Sequence, residues 1–500
     1  MLAGAAPARA AVPVLVVDGR GWGHGVGMAQ DGALWMGRAG ASTAEILGHF
    51  YPGVERSRAT GEVRVAVLDD DDRDVTVTFP GGGEVRSPRH GQQEAGFPIT
   101  VEPGGAVRIR HDGRYRVVPA GRMQARSAGS RQLVPIPPPP GSSTTTTLMP
   151  APAPSPTTTA PPEDEPTPPP ATERTSGSSI WAIPARDATV GLPERAARYR
   201  GVVEAVAGDA GLRLVNQLDV EQYLRGMGEV RDPSWPQSSL RAQAIAARTY
   251  GLRAMAAAGE ICDSQRCQVY LGQQAEYAAM DRAVRDTAGQ VLRYRGGFAA
   301  AVYSANGGGV SATPREGFGT PDAAHPYLRA APYETRTPDP WQVRIALTDL
   351  ATRLDYPGEL TDLRVAETGP SDRAVIVALE GSAGPRTIPA IQLQRAIGLR
   401  SSKWQTRIEL GEAPPPPPEA DRVQALPEHA ALGFSAPTSA PTTSPVRADT
   451  AGDEVQTAGR ESTGRPRWPL GALAMLAAAA LGAAATRRAH RGAPSEKASG

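Results

Sequence analysis

An α+β fold is predicted from three observations. Short alternating strands fill residues 63–118, one strong helical period runs from about 236 to 258, and proline-rich tracts set these patterned stretches apart. In the first stretch, Val63-Arg64-Val65-Ala66-Val67 and Val75-Thr76-Val77-Thr78-Phe79 alternate apolar with polar residues between Gly-Gly and Asp-rich turns. They read as a small β-rich region. Residues 190–408 mix strands, such as 212–215 and 374–377, with the long helix, which Pro236 opens and in which Leu240, Ala244, Ala247 and Gly251 form a small-residue stripe suited to close packing.

The chain has 500 residues, and its 49 prolines and 55 glycines mean that much of it cannot pack. Residues 137–179 and 411–467 are dominated by Pro, Thr, Ser and Ala, compositions that extend as polyproline II and bury little. Residues 468–486 carry no charge, are long enough to span a bilayer, and are followed by Arg487, Arg488 and Arg491 as a cytoplasmic stop would be. A buried Ala-rich helix is the alternative. The expected organisation is a signal-peptide remnant with a truncated start (1–11), an N-terminal region (12–136), a linker (137–179), a main domain (180–410), a second linker (411–467), one transmembrane helix (468–486) and a cytoplasmic tail (487–500). The globular part is then extracellular, anchored to the cell membrane by its C-terminal helix.

The charge balance of 53 basic and 52 acidic residues gives no cationic field to draw nucleic acid, so no nucleic-acid partner is expected. Only Lys403 and Lys497 are lysines, and the Arg, Ala, Gly and Pro excess points to a GC-rich coding sequence. Two cysteines, Cys262 and Cys267, are too few for a disulfide scaffold or a four-cysteine zinc site. Four residues separate them, a spacing that a turn can close into a disulfide outside the cell. No HExxH stands among the histidines. The glycine-rich run from Gly19 to Gln30 also fails as a dinucleotide fingerprint, because Gly19, Gly21, Gly23 and Gly25 are followed five residues on by His24, Val26, Met28 and Gln30.

Chemistry is concentrated in NQLDVEQYLRGMGEVRDPSWPQSSLRAQAIAARTYGLRAMAAA, residues 216–258. Asp219 and Glu221 open a short helix ending at Gly226, where acidic residues complement the helix dipole. Glu229 follows in an irregular stretch before Asp232-Pro233, a carboxylate presented by a loop on a rigid frame. Gln268, Tyr270, Tyr303, Ser304 and Asn306 supply the amide, hydroxyl and aromatic groups that a sugar groove needs, with a core role for the tyrosines as the alternative.

This block resembles the signature of the SpoIID/LytB family of sporulation and cell-wall proteins, YLRG…E…WP…L.AQA.AARTY. The resemblance continues through Cys262 to Tyr270, through Tyr303-Ser304-Ala305-Asn306-Gly307-Gly308 and through Gly398-Leu399-Arg400-Ser401. The leading GRGWGHGVGMAQDGA, continued by Glu45-Ile46-Leu47, resembles the family's GRGWGHGVGMSQYGA motif, which in many relatives is expected after the GLRS segment. The resemblance implies a lytic transglycosylase acting on peptidoglycan glycan strands, with Glu229 as its single catalytic acid/base. It also implies the alternative of a non-catalytic enhancer of a cell-wall amidase. A tethered structural protein is a third reading. If the leading motif docks beside Glu229, Trp22 is expected to stack on a sugar ring and His24 to donate a hydrogen bond, a tight structural turn being the alternative. Some relatives imply zinc held by a Cys and a His near residues 262–267. No histidine lies in this segment, so a disulfide, no metal and no cofactor are expected, with zinc as the alternative.

Overall fold

Alternation along the chain becomes sheet, and the sheets join stretches that are far apart in sequence. The structure is a computed structural model that describes residues 11–69, 74–122, 173–208, 211–336 and 339–412, with residue 414. The elements that position the site are β1 (Val12–Arg20), β2 (Met28–Ala29), α1 (Gln30–Arg38), β3 (Leu212–Asp219), α2 (Val220–Arg225), α3 (Gln237–Ala258), β4 (Tyr303–Ser304), β5 (Pro340–Ala346) and β6 (Trp404–Gly411).

The mixed α+β class is as expected. In strand Asp74–Phe79 the alternate residues Val75, Val77 and Phe79 are buried, as period two requires. Residues 12–136 and 180–410, expected as separate regions, share their sheets. In a seven-stranded sheet β3 lies between strand Val202–Ala207 and strand Glu62–Asp69, and strand Ile180–Pro184 pairs with strand Gly83–Arg86. A single apolar core runs from Val26 to Ala331. Periodicity announces a strand but says nothing of its partner, so this interleaving is invisible in the sequence.

The end of the expected first linker is structured. Strand Arg174–Ser176 pairs with residues 115–117, Ser176 Oγ lies 2.5 Å from Ser87 Oγ, and Glu94 accepts the amides of Gly177 and Ser178. Its Ser, Thr and Gly residues suit a linker, but here their polar groups are satisfied by the fold. Residues 1–10, 137–172 and 415–500, including the expected membrane helix and tail, lie outside the described residues. Among the described residues no helix is long and apolar enough to cross a membrane.

A second core gathers Leu15 and Val17 of β1 with Trp341, Ile345, Leu350, Val377, Leu393 and Trp404. There β1 is the central strand between β5 and β6, both antiparallel to it. Val12 lies opposite Gly411 and Gly19 opposite Trp404. The leading motif therefore sits beside the GLRS segment although it comes first in the chain, and the Gly23 amide donates to the Arg400 carbonyl at 2.8 Å.

Candidate active site

Glu229 stands at the junction of three segments. The first is α2, which Asp219 caps by accepting the Glu221 amide at 2.8 Å and which ends at Gly226. The Glu221 carboxylate, expected to serve the helix dipole, also pairs with the fully buried Arg248 of α3 at 2.6 and 2.8 Å. That ion pair ties the Glu229 frame to the long helix. The loop after α2 then runs against residues 269–272: Gly228 donates to the Val269 carbonyl at 2.9 Å, and a Cβ at Gly228 would lie 2.7 Å from Leu271 Cδ1. A larger residue here would have to displace the Leu271 and Val269 side chains.

The second segment is the disulfide loop. Cys262 and Cys267 are bonded to each other, with Cα atoms 5.6 Å apart, as the spacing leads one to expect. In the chain-entropy picture so short a loop contributes about 2 kcal/mol. Its larger effect is local, because Val269 follows two residues later and its N–H donates to Glu229 Oε1 at 2.7 Å.

The third segment is the leading glycine motif. Gly21, Gly23, Gly25 and Gly27 all have positive φ, and the chain then enters β2, which pairs in parallel with β4 through Met28–Tyr303 and Ala29–Ser304. This places Gln30, the first residue of α1, against Glu229 and against Gln243 of α3, its amide nitrogen 3.4 Å from Gln243 Oε1. The motif thus docks beside Glu229.

The Glu229 carboxyl is pushed up from the ordinary range to about 7 by burial, opposed by hydrogen bonds from the Val269 amide, Gln30 and Tyr303. Leu224, Met227, Val230, Ala244, Ala247 and Met280 line a small recess beside it, together with Gln243. Arg225, four residues before Glu229, is paired with Asp281 and Glu276 at 3.0 and 3.1 Å. The groups that steady the carboxylate are neutral, so the proton stays available near neutral pH.

A raised carboxyl pKa has a cost in stability. The folded state holds the Glu229 proton up to about pH 7, whereas the unfolded chain releases it near pH 4.5. Between these values the folded state binds more protons, so stability is lost as pH rises through the window. Glu229→Gln cannot ionise, and we expect it to be more stable than wild type by roughly 1–3 kcal/mol at pH 8 and about equal at pH 4. Urea melts at the two pH values check this, and equal stability at pH 8 would contradict it.

The expected sugar-binding residues divide. Tyr303 lies at the carboxyl, its hydroxyl also 2.8 Å from Gln268 Oε1. Gln268 and Tyr270 do not face a groove: they are 0% and 1% exposed, the Gln268 amide donates to the Ala247 carbonyl, and the Tyr270 hydroxyl donates to Asn216. Both belong to the core that fixes the 268–270 segment, the alternative reading for a strand tyrosine. Ser304 is buried with no hydrogen-bond partner for its hydroxyl, and Asn306 accepts the Gly308 amide while its backbone bridges to Trp22. His24 does not serve as an exposed donor. Its Nδ1 accepts the Val26 amide, its ring also bonds the Tyr303 backbone and packs 4.6 Å from Phe318, and burial pushes its pKa down to about 3. Trp22 is half-buried, with the Arg400 guanidinium 4.7 Å over its ring.

Sequence reasoning missed Gln30, Gln243, Tyr223 and Tyr250. The two glutamines stand inside the quoted motifs, in GMAQ and AQA, and that was the available signal. The phenols of Tyr223, Tyr250 and Tyr303 are pushed up by burial and further by the charge of Glu229, which places them around it. Asp31 was missed too, so Glu229 is not the one carboxyl of note here. Burial raises Asp31 to about 6, and its two oxygens accept the hydroxyls of Tyr333 and Thr335 at 2.9 and 2.8 Å.

Comparison with known proteins agrees with the motifs. Residues 208–294 match the SpoIID family model, Stage II sporulation protein. An uncharacterized protein of Brachyspira hyodysenteriae is 30% identical over 136 residues, 26% of this chain and 36% of that protein. The amidase enhancer of Bacillus subtilis is 32% identical over 123 residues, 24% of this chain and 16% of that protein. The stage II sporulation protein D of Bacillus amyloliquefaciens is 44% identical over 45 residues, 9% of this chain and 13% of that protein. The alignments thus span little more than a third, at most, of the relatives' own lengths. No solved structure matches the chain.

Proposed function

We propose that this chain, which carries a SpoIID-family segment, binds peptidoglycan glycan strands and cleaves them as a lytic transglycosylase with Glu229 as its acid/base. The observation that carries the reading is a carboxyl raised to about 7 and steadied by an amide N–H, Gln30 and Tyr303, with no cationic partner among the described residues. Such a group can donate a proton near neutral pH and take one back. The protonated Glu229 gives its proton to the glycosidic oxygen as the bond to C1 of the muramic ring breaks. The carboxylate then accepts the proton of the ring's C6 hydroxyl as that oxygen bonds to C1, leaving a 1,6-anhydro end. No water enters, so the second carboxylate of a hydrolase is not required. Asp31 is poorly suited to that second role, since both its oxygens already accept hydroxyl hydrogen bonds. Analysis of digested glycan strands tests the reading: anhydro ends support it, and reducing ends formed by hydrolysis contradict it.

A second reading has its own support, since one relative is named an amidase enhancer. On that reading the chain binds glycan while a cell-wall amidase cuts. Raised amidase activity on adding the protein, with no anhydro ends from the protein alone, would favour it.

We place the domain outside the cell, held at the membrane by residues 468–486. The Cys262–Cys267 disulfide supports an oxidising compartment. Protease added to intact protoplasts is expected to remove the domain, and full protection would refute the orientation.

A further inference from the structure

We propose that Arg20, Arg400 and Lys403, grouped around the Gly307–Gly309 turn with Arg373 beneath it, form a subsite for an anionic substituent of the wall polymer, carboxylate or phosphate. The inference rests on the glycan reading above and adds to it what the polymer must carry.

Three separate segments bring the cations together. Arg20 ends β1 and Lys403 precedes β6, with the Arg20 amide donating to the Lys403 carbonyl at 3.0 Å and Ser401 Oγ donating to the Arg20 carbonyl at 2.6 Å. Both stems flank the turn: a Cβ at Gly308 would lie 3.3 Å from Lys403 Cδ and 3.5 Å from Arg20 Cβ. Arg400 lies over Trp22, whose backbone pairs with Asn306 just before the turn. Among the described residues no ion pair joins any of these cations to a carboxylate, whereas arginines such as Arg64, Arg200, Arg248 and Arg344 each have one.

The buried member makes the cluster more than a solvated basic face. Arg373 is 0% exposed and donates from Nη2 to the Gly307 carbonyl at 2.7 Å, while its Nε and Nη1 have no hydrogen-bond partner. A buried guanidinium with unmet donors is costly unless a negative charge comes to it. The nearby Glu316 does not pair with it directly, its oxygens accepting the Ser371 amide and hydroxyl and the Thr313 amide. Glu316 and Asp372 offset the field at Lys403 only in part, since burial, Arg373 and Arg20 all hold the Lys403 ammonium below its usual range.

The cluster continues the Glu229 seam. Tyr303, whose hydroxyl reaches Glu229, and Gly308 are five residues apart, a run of at most about 17 Å. A polymer lying over Glu229 can thus place a charged substituent on the turn. The glycan strand offers the lactyl carboxylate of its muramic residues, and phosphodiester wall polymers offer the other source.

Binding of the full chain to three polymers tests the proposal: purified glycan strands, neutral chitin oligosaccharides and a phosphodiester wall polymer. Wild type is expected to prefer at least one anionic polymer over chitin, and the preferred one identifies the source. Arg20→Gln/Arg400→Gln should lose roughly tenfold or more on that polymer and stay within about twofold on chitin. Arg20→Lys/Arg400→Lys, which keeps the charge, should stay within about threefold of wild type. Undiminished binding of the Gln variant overturns the subsite, as does an equal loss in the Lys variant or a parallel loss on chitin. If wild type binds none of the three, the glycan reading fails first.

Discussion

Glu229→Gln is expected to lower anhydro-product formation by roughly 100-fold or more while glycan binding survives. Glutamine keeps the shape and can still accept the Val269 amide, which now donates to Glu229 Oε1 at 2.7 Å, but it cannot cycle a proton. The recess lined by Met227, Val230 and Met280 should therefore stay in place around it. In wild type, cleavage should fall as pH rises through about 7, because the acid must hold its proton at the start of each turnover. A product assay across pH, alongside sedimentation with purified cell walls, reads both effects. A variant that forms anhydro ends at the wild-type rate would mean that Glu229 is not the acid.

Gly27→Ala is expected to cost about 3 kcal/mol or more and to remove activity in the fraction that stays folded. Gly27 has φ +74°, a left-handed conformation that a side chain strains, and an added Cβ would run into the Val302 carbonyl oxygen. That carbonyl cannot step aside, since it accepts the Met28 amide and the Tyr51 hydroxyl. The strain falls where β2 meets β4, two pairs before Gln30 turns toward Glu229. Gly40→Ala is the control: its φ is +93° but nothing lies within 4 Å of an added Cβ, so only the backbone strain of about 1–2 kcal/mol applies. Urea melts of the two variants check the difference. Equal losses would mean that close packing on Val302 does not hold the motif.

Much of this was legible in the sequence for specific physical reasons. The helix at 237–258 announced itself through Pro236 and its small-residue stripe. Glu229 was legible as a loop carboxylate between a helix end and Asp232-Pro233, and its acid/base role came from the family resemblance. The disulfide followed from a four-residue spacing. What the sequence hid was which strands pair. Strand Glu62–Asp69 and β3 are neighbours though about 150 positions apart, and no periodicity encodes that register. Burial of individual polar residues was hidden as well. Gln268 and Tyr270 have the chemistry of a sugar groove, yet Asn216 and Ala247 already take their hydrogen bonds inside the core. His24 gave the same false signal, because a histidine in a glycine-rich run suggests exposure whereas Phe318 covers it. Gln30 and Asp31 were passed over because no local rule marks a helix start as part of a site assembled from segments two hundred residues away.

The most direct test of the central claim is mass spectrometry of glycan strands incubated with the purified wild-type chain and no amidase. Glu229 acting as acid and then base predicts products ending in 1,6-anhydro-muramic residues, formed without uptake of oxygen from labelled water. Strands left intact, or ends that carry the label, would contradict it.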